Sequence, residues 1–155
     1  MSAESQSQWY EAKVPPPVLG LAGLFLQHGL APDRSSSWGR RGLGLGVAGG
    51  AAALMGSAAA AFRRHRTTVH PLHPEQASHL VVEGPNAVTR NPMYVGMAGL
   101  LAAHALARGG LLTWLPVAGF VAAIDRAQIA PEERALHDLF GEEYAAYVRS
   151  VPRWL

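Results

Sequence analysis

Four stretches of this 155-residue chain contain no charged side chain, and they constrain the fold more than any other feature. They are Val14 to Ala31, Gly42 to Phe62, Met93 to Ala107 and Gly109 to Ile124. A helix that crosses the hydrocarbon core of a bilayer needs roughly 20 apolar residues, and about 17 to 25 are tolerated. The first two stretches meet this requirement directly, and the last two meet it if flanking polar residues lie at the interface. The pattern therefore predicts an all-α, multi-pass membrane protein with about four transmembrane helices.

The second stretch is rich in glycine and alanine. Each glycine costs about 1 kcal/mol relative to alanine in a soluble helix. In a membrane the same small residues allow helices to pack closely. The composition thus favours a membrane helix over the alternative, a small soluble all-α domain with buried hairpins.

The basic residues predict an orientation in the membrane. With four spans, one side holds the amino terminus, the connection after the second span and the carboxyl-terminal tail. That side carries nine basic residues: Lys13, Arg63, Arg64, Arg66, Arg90, Arg126, Arg134, Arg149 and Arg153. The opposite side carries four: Arg34, Arg40, Arg41 and Arg108. Because basic residues concentrate on the cytoplasmic side, both termini are expected in the cytoplasm.

Composition argues against several other functions. The net charge is +2, the basic residues are dispersed and no nucleic-acid recognition motif accompanies them, so no nucleic-acid partner is expected. The absence of cysteine excludes disulfides, a thiolate nucleophile and cysteine-based metal sites. The histidines of the second connection do not follow a common ligand spacing, and no metal is expected. These are His65, His70, His73 and His79.

A polar loop precedes the third charge-free stretch. Its residues Thr89 to Asn91 come directly before Pro92, which disfavours helical geometry at Asn91 but suits the first turn of a helix. The loop is therefore expected at a helix N-terminus, where free amides accept carboxylate or hydroxyl ligands. Tyr94 and Met97 project from the first turn of that helix. Interfacial anchoring of the arginine and tyrosine is the alternative.

An acidic pair, Glu132 and Glu133, follows the fourth stretch. It opens an amphipathic segment, which predicts a cytoplasmic C-terminal helix with Pro131 in its first turn. The apolar face of that helix is predicted to hold Leu136, Leu139, Phe140, Tyr144, Tyr147 and Val148. As an alternative to a functional role, the two acids complement the positive end of the helix dipole.

Ionisable residues inside or beside the spans have simpler expected roles. His28 and His104 are expected to pair with neighbouring backbone carbonyls rather than to act in chemistry. Asp125 and Arg126 are expected to form an ion pair with each other at the membrane boundary.

The two motifs resemble the C-terminal half of the integral-membrane isoprenylcysteine carboxyl methyltransferase and phospholipid methyltransferase superfamily. Its bacterial members carry a Gly-Pro-x-x-x-x-Arg-Asn/His-Pro-x-Tyr-x-Gly block and a later Glu-Glu. Here the block runs from Gly84 to Gly96. The resemblance covers residues 67–155, whereas residues 1–66 hold a polar tail and the first two spans. The two parts are expected to form one integrated domain.

The resemblance implies S-adenosyl-L-methionine as cofactor, enclosed where the C-terminal segment folds back on the Asn-Pro helix. Carboxylates suit its ammonium and ribose hydroxyl groups, and aromatic rings suit its sulfonium. The implied cofactor-binding residues are Thr89, Asn91, Pro92, Tyr94, Gly96, Met97, Glu132, Glu133 and Tyr144. The implied catalytic residues are Arg90, Asn91, Tyr94 and Arg149, with Arg153 a further candidate to orient an acceptor carboxylate. Which glutamate meets the ribose stays open.

The resemblance also implies a reaction and a place for it. The expected reaction is methyl transfer to the carboxylate or amine of a small amphiphilic or lipid-like acceptor that enters from the bilayer of a bacterial-type inner membrane. Asn91 stands where the eukaryotic prenylcysteine enzymes have histidine, so their prenylated-protein substrate does not transfer. The alternatives are an NADPH-dependent membrane reductase related to sterol reductases and a non-enzymatic small membrane protein. The oligomeric state is open.

Overall fold

The computed structural model describes residues 14–31, 37–64 and 79–155, and every regular element in these ranges is helical. The five α-helices are α1 (Pro16–Leu30), α2 (Trp38–Arg64), α3 (Pro92–Arg108), α4 (Leu115–Ile124) and α5 (Ala130–Ser150). Short 3₁₀ turns at Gly84–Ala87 and Leu111–Trp114 precede α3 and α4, and a π-helical turn at Asp125–Ile129 joins α4 to α5. The prediction of an all-α chain is confirmed.

Proline and glycine set the helix boundaries as the sequence predicts. α1 and α3 each have a proline in the first turn, where the missing amide hydrogen costs nothing because it has no intrahelical partner. Gly109 and Gly110 have φ values of 74° and 88° and reverse the chain between α3 and α4. Residues other than glycine rarely adopt this left-handed region of backbone conformation.

The C-terminal helix begins as the sequence predicts, with Pro131 in its first turn, but no break separates it from the helix before it. α4 continues through the π-helical turn into α5, and the amide of Ala130 donates to the carbonyl of Asp125. Pro131 therefore lies inside a continuous helix, and the wider π turn directly before it accommodates its missing hydrogen bond. Glu132 and Glu133 lie in the first turn of α5, as predicted, but the helical turn before them leaves less positive dipole there for the two acids to complement.

Length and composition identify one clear membrane-spanning candidate among the described residues. α2 has 27 residues and is long and apolar enough to cross a bilayer. α1 and α4 have 15 and 10 residues, which is below the roughly 17 that a span needs, and α3 has 17.

Close contact between α2 and α3 explains several glycines. A Cβ atom on Gly44 would lie 2.7 Å from the carbonyl oxygen of Ala103, and one on Gly96 would collide with Cγ of Met55. On α2, Gly44 thus serves close helix packing, as the sequence predicts, whereas a Cβ atom on Gly46, Gly49, Gly50 or Gly56 would meet nothing within 4 Å.

Two apolar clusters hold the remaining helices. The first joins α3 to the α4–α5 region and is formed by Tyr94, Leu101, Phe120, Ile124 and Ile129. The second lies under α5 and is formed by Leu80, Tyr144, Tyr147 and Val151, with Leu136 and Phe140 packed against it.

The predicted apolar face of α5 is only partly correct. Leu139 and Val148 are 46% and 38% exposed and lie outside the second cluster. Gly141 has φ 51° and ψ −120°, which interrupts the helix. A single helical periodicity therefore cannot describe the face on both sides of this glycine.

Candidate functional site

The polar loop before α3 is held by the C-terminal tail. The amide of Arg90 donates to the carbonyl of Pro152 at 2.9 Å. The Thr89 hydroxyl and the Asn91 side-chain amide both donate to the carbonyl of Arg153 at 3.0 Å. The amide of Asn91 donates to the Thr89 hydroxyl at 3.2 Å. Two amides of the loop that were expected to be free for a ligand are thus used inside the chain.

The side chain of Arg90 reaches the end of α5. Its Nη1 donates to the carbonyls of Val151 and Val148 at 2.6 and 3.2 Å. Carbonyls at the end of a helix have no partner within the helix, and Arg90 supplies one here. Its Nη2 donates to Oε1 of Glu133 at 2.8 Å. The arginine side chain is 10% exposed and the glutamate side chain 18%, so the pair is largely shielded from water.

Arg153 joins two carboxylates. Its Nε donates to Oε1 of Glu133 at 3.1 Å, and its Nη2 donates to Oε2 of the same residue. Its Nη1 contacts both oxygens of Asp125, at 3.2 and 3.3 Å. The indole of Trp154 donates to Oδ1 of Asp125 at 2.9 Å. The predicted pairing of Asp125 with Arg126 is wrong, because Arg126 donates to the carbonyl of Ala122 instead.

These contacts keep the two carboxylates ionised. Burial raises the pKa of Glu133, but hydrogen bonds from Arg153 and Arg90 outweigh it, and the pKa falls below its ordinary value. The hydrogen bond from Trp154 is the largest influence on Asp125; it acts with Arg153 and against burial to lower the pKa. The hydrogen bond to Glu133 is likewise the main reason that the pKa of Arg153 is raised.

The second acid of the pair faces a different partner. Glu132 accepts a hydrogen bond of 2.6 Å from the hydroxyl of Tyr94, which is 7% exposed. Adjacent glutamates in the sequence thus engage the two halves of the loop-helix motif separately. Glu132 meets the first turn of α3, and Glu133 meets the loop before it.

Aromatic residues of α5 lie beside the charged cluster that Arg90, Arg153, Asp125 and Glu133 form. Tyr144 and Tyr147 are buried, with ring centroids 6.2 Å apart at 61°. The Tyr147 hydroxyl donates to the carbonyl of Asn86 at 2.6 Å. Burial and the nearby charge of Glu133 raise the pKa of Tyr144, and burial raises the pKa of Tyr147 to about 12. Both phenols are therefore neutral at physiological pH.

The remaining predicted residues lie at varying distance from the cluster. Pro92 is buried at the start of α3, and Met97 packs against the first apolar cluster beside Tyr94. Gly96 lies against α2. Arg149 does not join the cluster: its guanidinium pairs with Glu142 at 2.8 Å, and the two side chains are 65% and 83% exposed.

A second polar cluster lies toward the C-terminal ends of α1 and α3, away from the polar loop. Gln27 is fully buried, and its amide nitrogen donates to the carbonyls of Leu101 and Thr113 at 2.9 Å each. Its oxygen lies 2.9 Å from Nδ1 of His104. His104 therefore pairs with a side chain of another helix, and not with a neighbouring carbonyl as expected.

No group of three or more metal-ligand side chains occurs among the described residues. Of the histidines weighed as a metal site, His65, His70 and His73 lie outside the described ranges. His79 is exposed at the start of the third range.

Sequence reasoning missed how strongly the tail takes part. Asp125 and Trp154 were not recognised as members of the cluster, and neither was the backbone of Pro152. One signal was available: Trp154 lies shortly after α5, and a large aromatic side chain is unusual in a solvated, unattached segment. The pairing partners, however, lie 28 and 29 residues away from Arg153 and Trp154, so spacing alone did not reveal them.

Comparison with known proteins identifies the family. No solved structure matches the chain significantly. A protein of Haemophilus influenzae (strain ATCC 51907 / DSM 11121 / KW20 / Rd), described only as uncharacterized, is 43% identical over 63 residues, which cover 41% of this chain and 100% of the relative. The phospholipid methyltransferase model matches residues 40–143, about two thirds of the chain, and this segment contains both motifs. The chain therefore belongs to the phospholipid methyltransferase family, whose members are membrane-associated methyltransferases.

Proposed function

We propose that this chain is an integral-membrane methyltransferase that uses S-adenosyl-L-methionine to methylate the carboxylate or amine of a small amphiphilic or lipid-like acceptor. One observation carries the proposal. The Arg-Asn-Pro-x-Tyr block and the Glu-Glu pair, about forty residues apart in the sequence, meet through Arg90–Glu133 and Tyr94–Glu132 contacts of 2.8 and 2.6 Å. These contacts between the two motifs support a single site.

The side chains at this site fit the chemistry of the cofactor. S-adenosyl-L-methionine bears an ammonium, a sulfonium and two ribose hydroxyls, which favour carboxylate, carbonyl and aromatic neighbours. Glu132 supplies a carboxylate beside the ring of Tyr94. We expect these two residues, with Met97, Tyr144 and the loop Thr89 to Pro92, to hold the cofactor. When bound, it supplies an electrophilic methyl group.

The chain itself contributes mainly alignment and exclusion of water. Methyl transfer from a sulfonium disperses charge, so orientation of the two reactants and a dry site matter more than proton transfer. Arg90 and Asn91 fix the polar loop through five hydrogen bonds to α5 and the residues after it. Their proposed role is to hold the loop still while Tyr94 and Glu132 face the reactants. Arg149 would take part less directly than predicted, because its exposed guanidinium could meet an acceptor only at the protein surface.

We also propose that several helices contact lipid and that both termini face the cytoplasm. α1 is short, but it exposes a row of large apolar side chains: Leu21, Phe25 and Leu26 are 56%, 79% and 60% exposed. Apolar side chains arranged in this way favour a lipid environment over water. The distribution of basic residues supports the orientation. Reporter fusions after Leu155 and within residues 33–38 should report opposite sides, and the same side for both would remove the four-span arrangement.

The function is tested by transfer of labelled methyl groups from S-adenosyl-L-methionine to a lipid extract. Purified protein should transfer label to an acceptor with an apolar tail. Tyr94→Phe should reduce transfer by roughly tenfold, because it removes one hydrogen bond to a charged group. Glu142→Gln changes an exposed acid on the same helix as Glu132 and should leave transfer intact. Equal transfer to water-soluble acceptors without an apolar tail would contradict entry from the bilayer.

A further inference from the structure

The five residues after α5 belong to neither motif, yet they contact both. Residues 151–155 also lie beyond the segment that the family model matches, residues 40–143. We call them the tail. Its contacts divide into those of the backbone, which reach the polar loop, and those of the side chains, which reach the acids.

The backbone of the tail fixes the polar loop. The carbonyls of Pro152 and Arg153 accept three hydrogen bonds from Thr89, Arg90 and Asn91, all between 2.9 and 3.0 Å. Val151 is 8% exposed and packs into the second apolar cluster, which anchors the start of the tail. The geometry of the loop therefore depends on the path of the tail.

The side chains of the tail fix the acids. The fork of Arg153 bridges Asp125 in the π-helical turn and Glu133 in α5. A planar guanidinium suits such a bridge because its donors point in fixed directions, whereas a lysine ammonium offers only a point charge. Trp154 adds a hydrogen bond to Asp125 and packs against the first apolar cluster.

These contacts separate the roles of the two adjacent glutamates. Both oxygens of Glu133 are engaged by guanidinium groups, one by Arg90 and Arg153 and the other by Arg153. Glu132 instead accepts from Tyr94 in the first turn of α3. Glu133 therefore belongs to an internal clamp, and Glu132 belongs to the surface that the proposed function assigns to the cofactor.

We propose that the tail is a positioning element of the methyl-transfer site and that Arg153 is its positioning residue. Arg153 holds Glu133, and the backbone beside it holds the loop Thr89 to Asn91, so that Tyr94 and Glu132 keep their binding geometry. Glu133 acts through this clamp and does not itself bind the cofactor. The inference rests on the proposed function, and its test includes a measurement that needs no cofactor.

The test combines the mobility of the tail with the affinity for S-adenosylhomocysteine. Because the chain has no cysteine and Leu155 is 82% exposed, Leu155→Cys offers a single site for a nitroxide label. The label is introduced into the parent chain, Arg153→Gln, Arg153→Lys and Arg134→Gln. Arg134 is an exposed residue of α5 and provides the matched control. Circular dichroism verifies helix content in each variant.

Arg153→Gln should free the label and weaken binding of S-adenosylhomocysteine by on the order of tenfold, since small misplacements at an active site have effects of this size or larger. Arg153→Lys should be intermediate in both measurements, because it keeps the charge but cannot bridge both acids. Arg134→Gln should match the parent chain. An intermediate lysine variant distinguishes positioning from a loss of folding.

Three results would overturn the inference. A freed label with unchanged affinity would show that the tail does not position the site. Weaker binding with an immobile label would make Arg153 a direct ligand. An unchanged label and unchanged affinity would remove any role for Arg153. If the parent chain binds no S-adenosylhomocysteine, the proposed function fails separately, and the label measurement alone then tests whether Arg153 anchors the tail.

Discussion

The two ends of α3 are fixed by different chemistry. At its start, two guanidiniums and two carboxylates form a connected network of Arg90, Glu133, Arg153 and Asp125. At its other end, the amide of Gln27 joins neutral partners on α3 and on the turn before α4. Both networks link residues that are far apart in the sequence, but only the first contains ion pairs.

The two networks differ in what offsets the cost of removing their polar groups from water. Gln27 is fully buried, and a neutral amide with all its hydrogen-bonding groups paired tolerates such a place. The ionic network keeps some contact with water, because the Arg153 and Asp125 side chains are 34% and 32% exposed. Residual hydration reduces the desolvation cost of the charges. We therefore propose that the charged end is the one that meets polar ligands and that the neutral end only holds the helices together.

The largest effect should come from breaking the ionic end. Arg90→Ala leaves Glu133 without one guanidinium and removes two bonds to the end of α5. Removing one partner of a largely buried pair destabilises by about 3 kcal/mol. We expect a lower melting temperature in detergent and loss of S-adenosylhomocysteine binding. Arg134→Gln, a change to an exposed arginine, should alter neither, and a stable Arg90→Ala protein with full binding would contradict the distinction between the ends.

A smaller effect should come from the neutral end. Gln27→Leu leaves His104 and two carbonyls without the amide, at a cost of about 1 to 2 kcal/mol. The melting temperature should fall, but the affinity for S-adenosylhomocysteine should not change, because the amide lies at the far end of α3. Weaker cofactor binding in this variant would show that the two ends of α3 are coupled. It would contradict the distinction between a ligand site at one end and a purely structural contact at the other.

The smallest effect should be a response of the ionic end to acid. The pKa values of Glu133 and Asp125 are lowered from ordinary values of 4.5 and 3.8. Their contribution to stability is therefore fully present above those ordinary values and is lost as the pH falls through the lowered values. A nitroxide at position 155 should stay immobile from pH 7 to about 5 and loosen only in stronger acid. Loosening between pH 7 and 5 would contradict ion pairing as the anchor.

Local rules predicted the helical elements well. Proline at the start of α1 and α3 and the glycines after α3 act through their own backbone preferences, so their effects are visible in the sequence. Pro131 lies in the first turn of α5, as predicted, but the sequence did not indicate that α4 runs into α5 without a break. A π-helical turn joins the two helices, and Asp125 in that turn contacts Arg153, which lies 28 residues away in the sequence.

The site was predictable in its members but less so in their pairing. The motif spacing indicated Arg90, Tyr94 and both glutamates, and the structure brings these residues together. The motif spacing did not indicate that Arg153 would pair with Glu133 or that Arg149 would remain at the surface. Arg149 lies in the last turn of α5, whereas Arg153 follows that helix and reaches the cluster after the backbone turns at Val151.

We propose that this junction of α3 and α5 binds S-adenosylmethionine. A calorimetric titration of the purified protein with S-adenosylhomocysteine, with NADPH as the comparison, tests this most directly. We expect binding of S-adenosylhomocysteine and none of NADPH. Glu132→Gln should weaken that binding by about 1.5 to 3 kcal/mol through loss of a charge-assisted hydrogen bond. Glu142→Gln, at an exposed acid of the same helix, should bind as the parent does. Binding of NADPH alone, or an affinity for S-adenosylhomocysteine that Glu132→Gln leaves unchanged, would contradict the account.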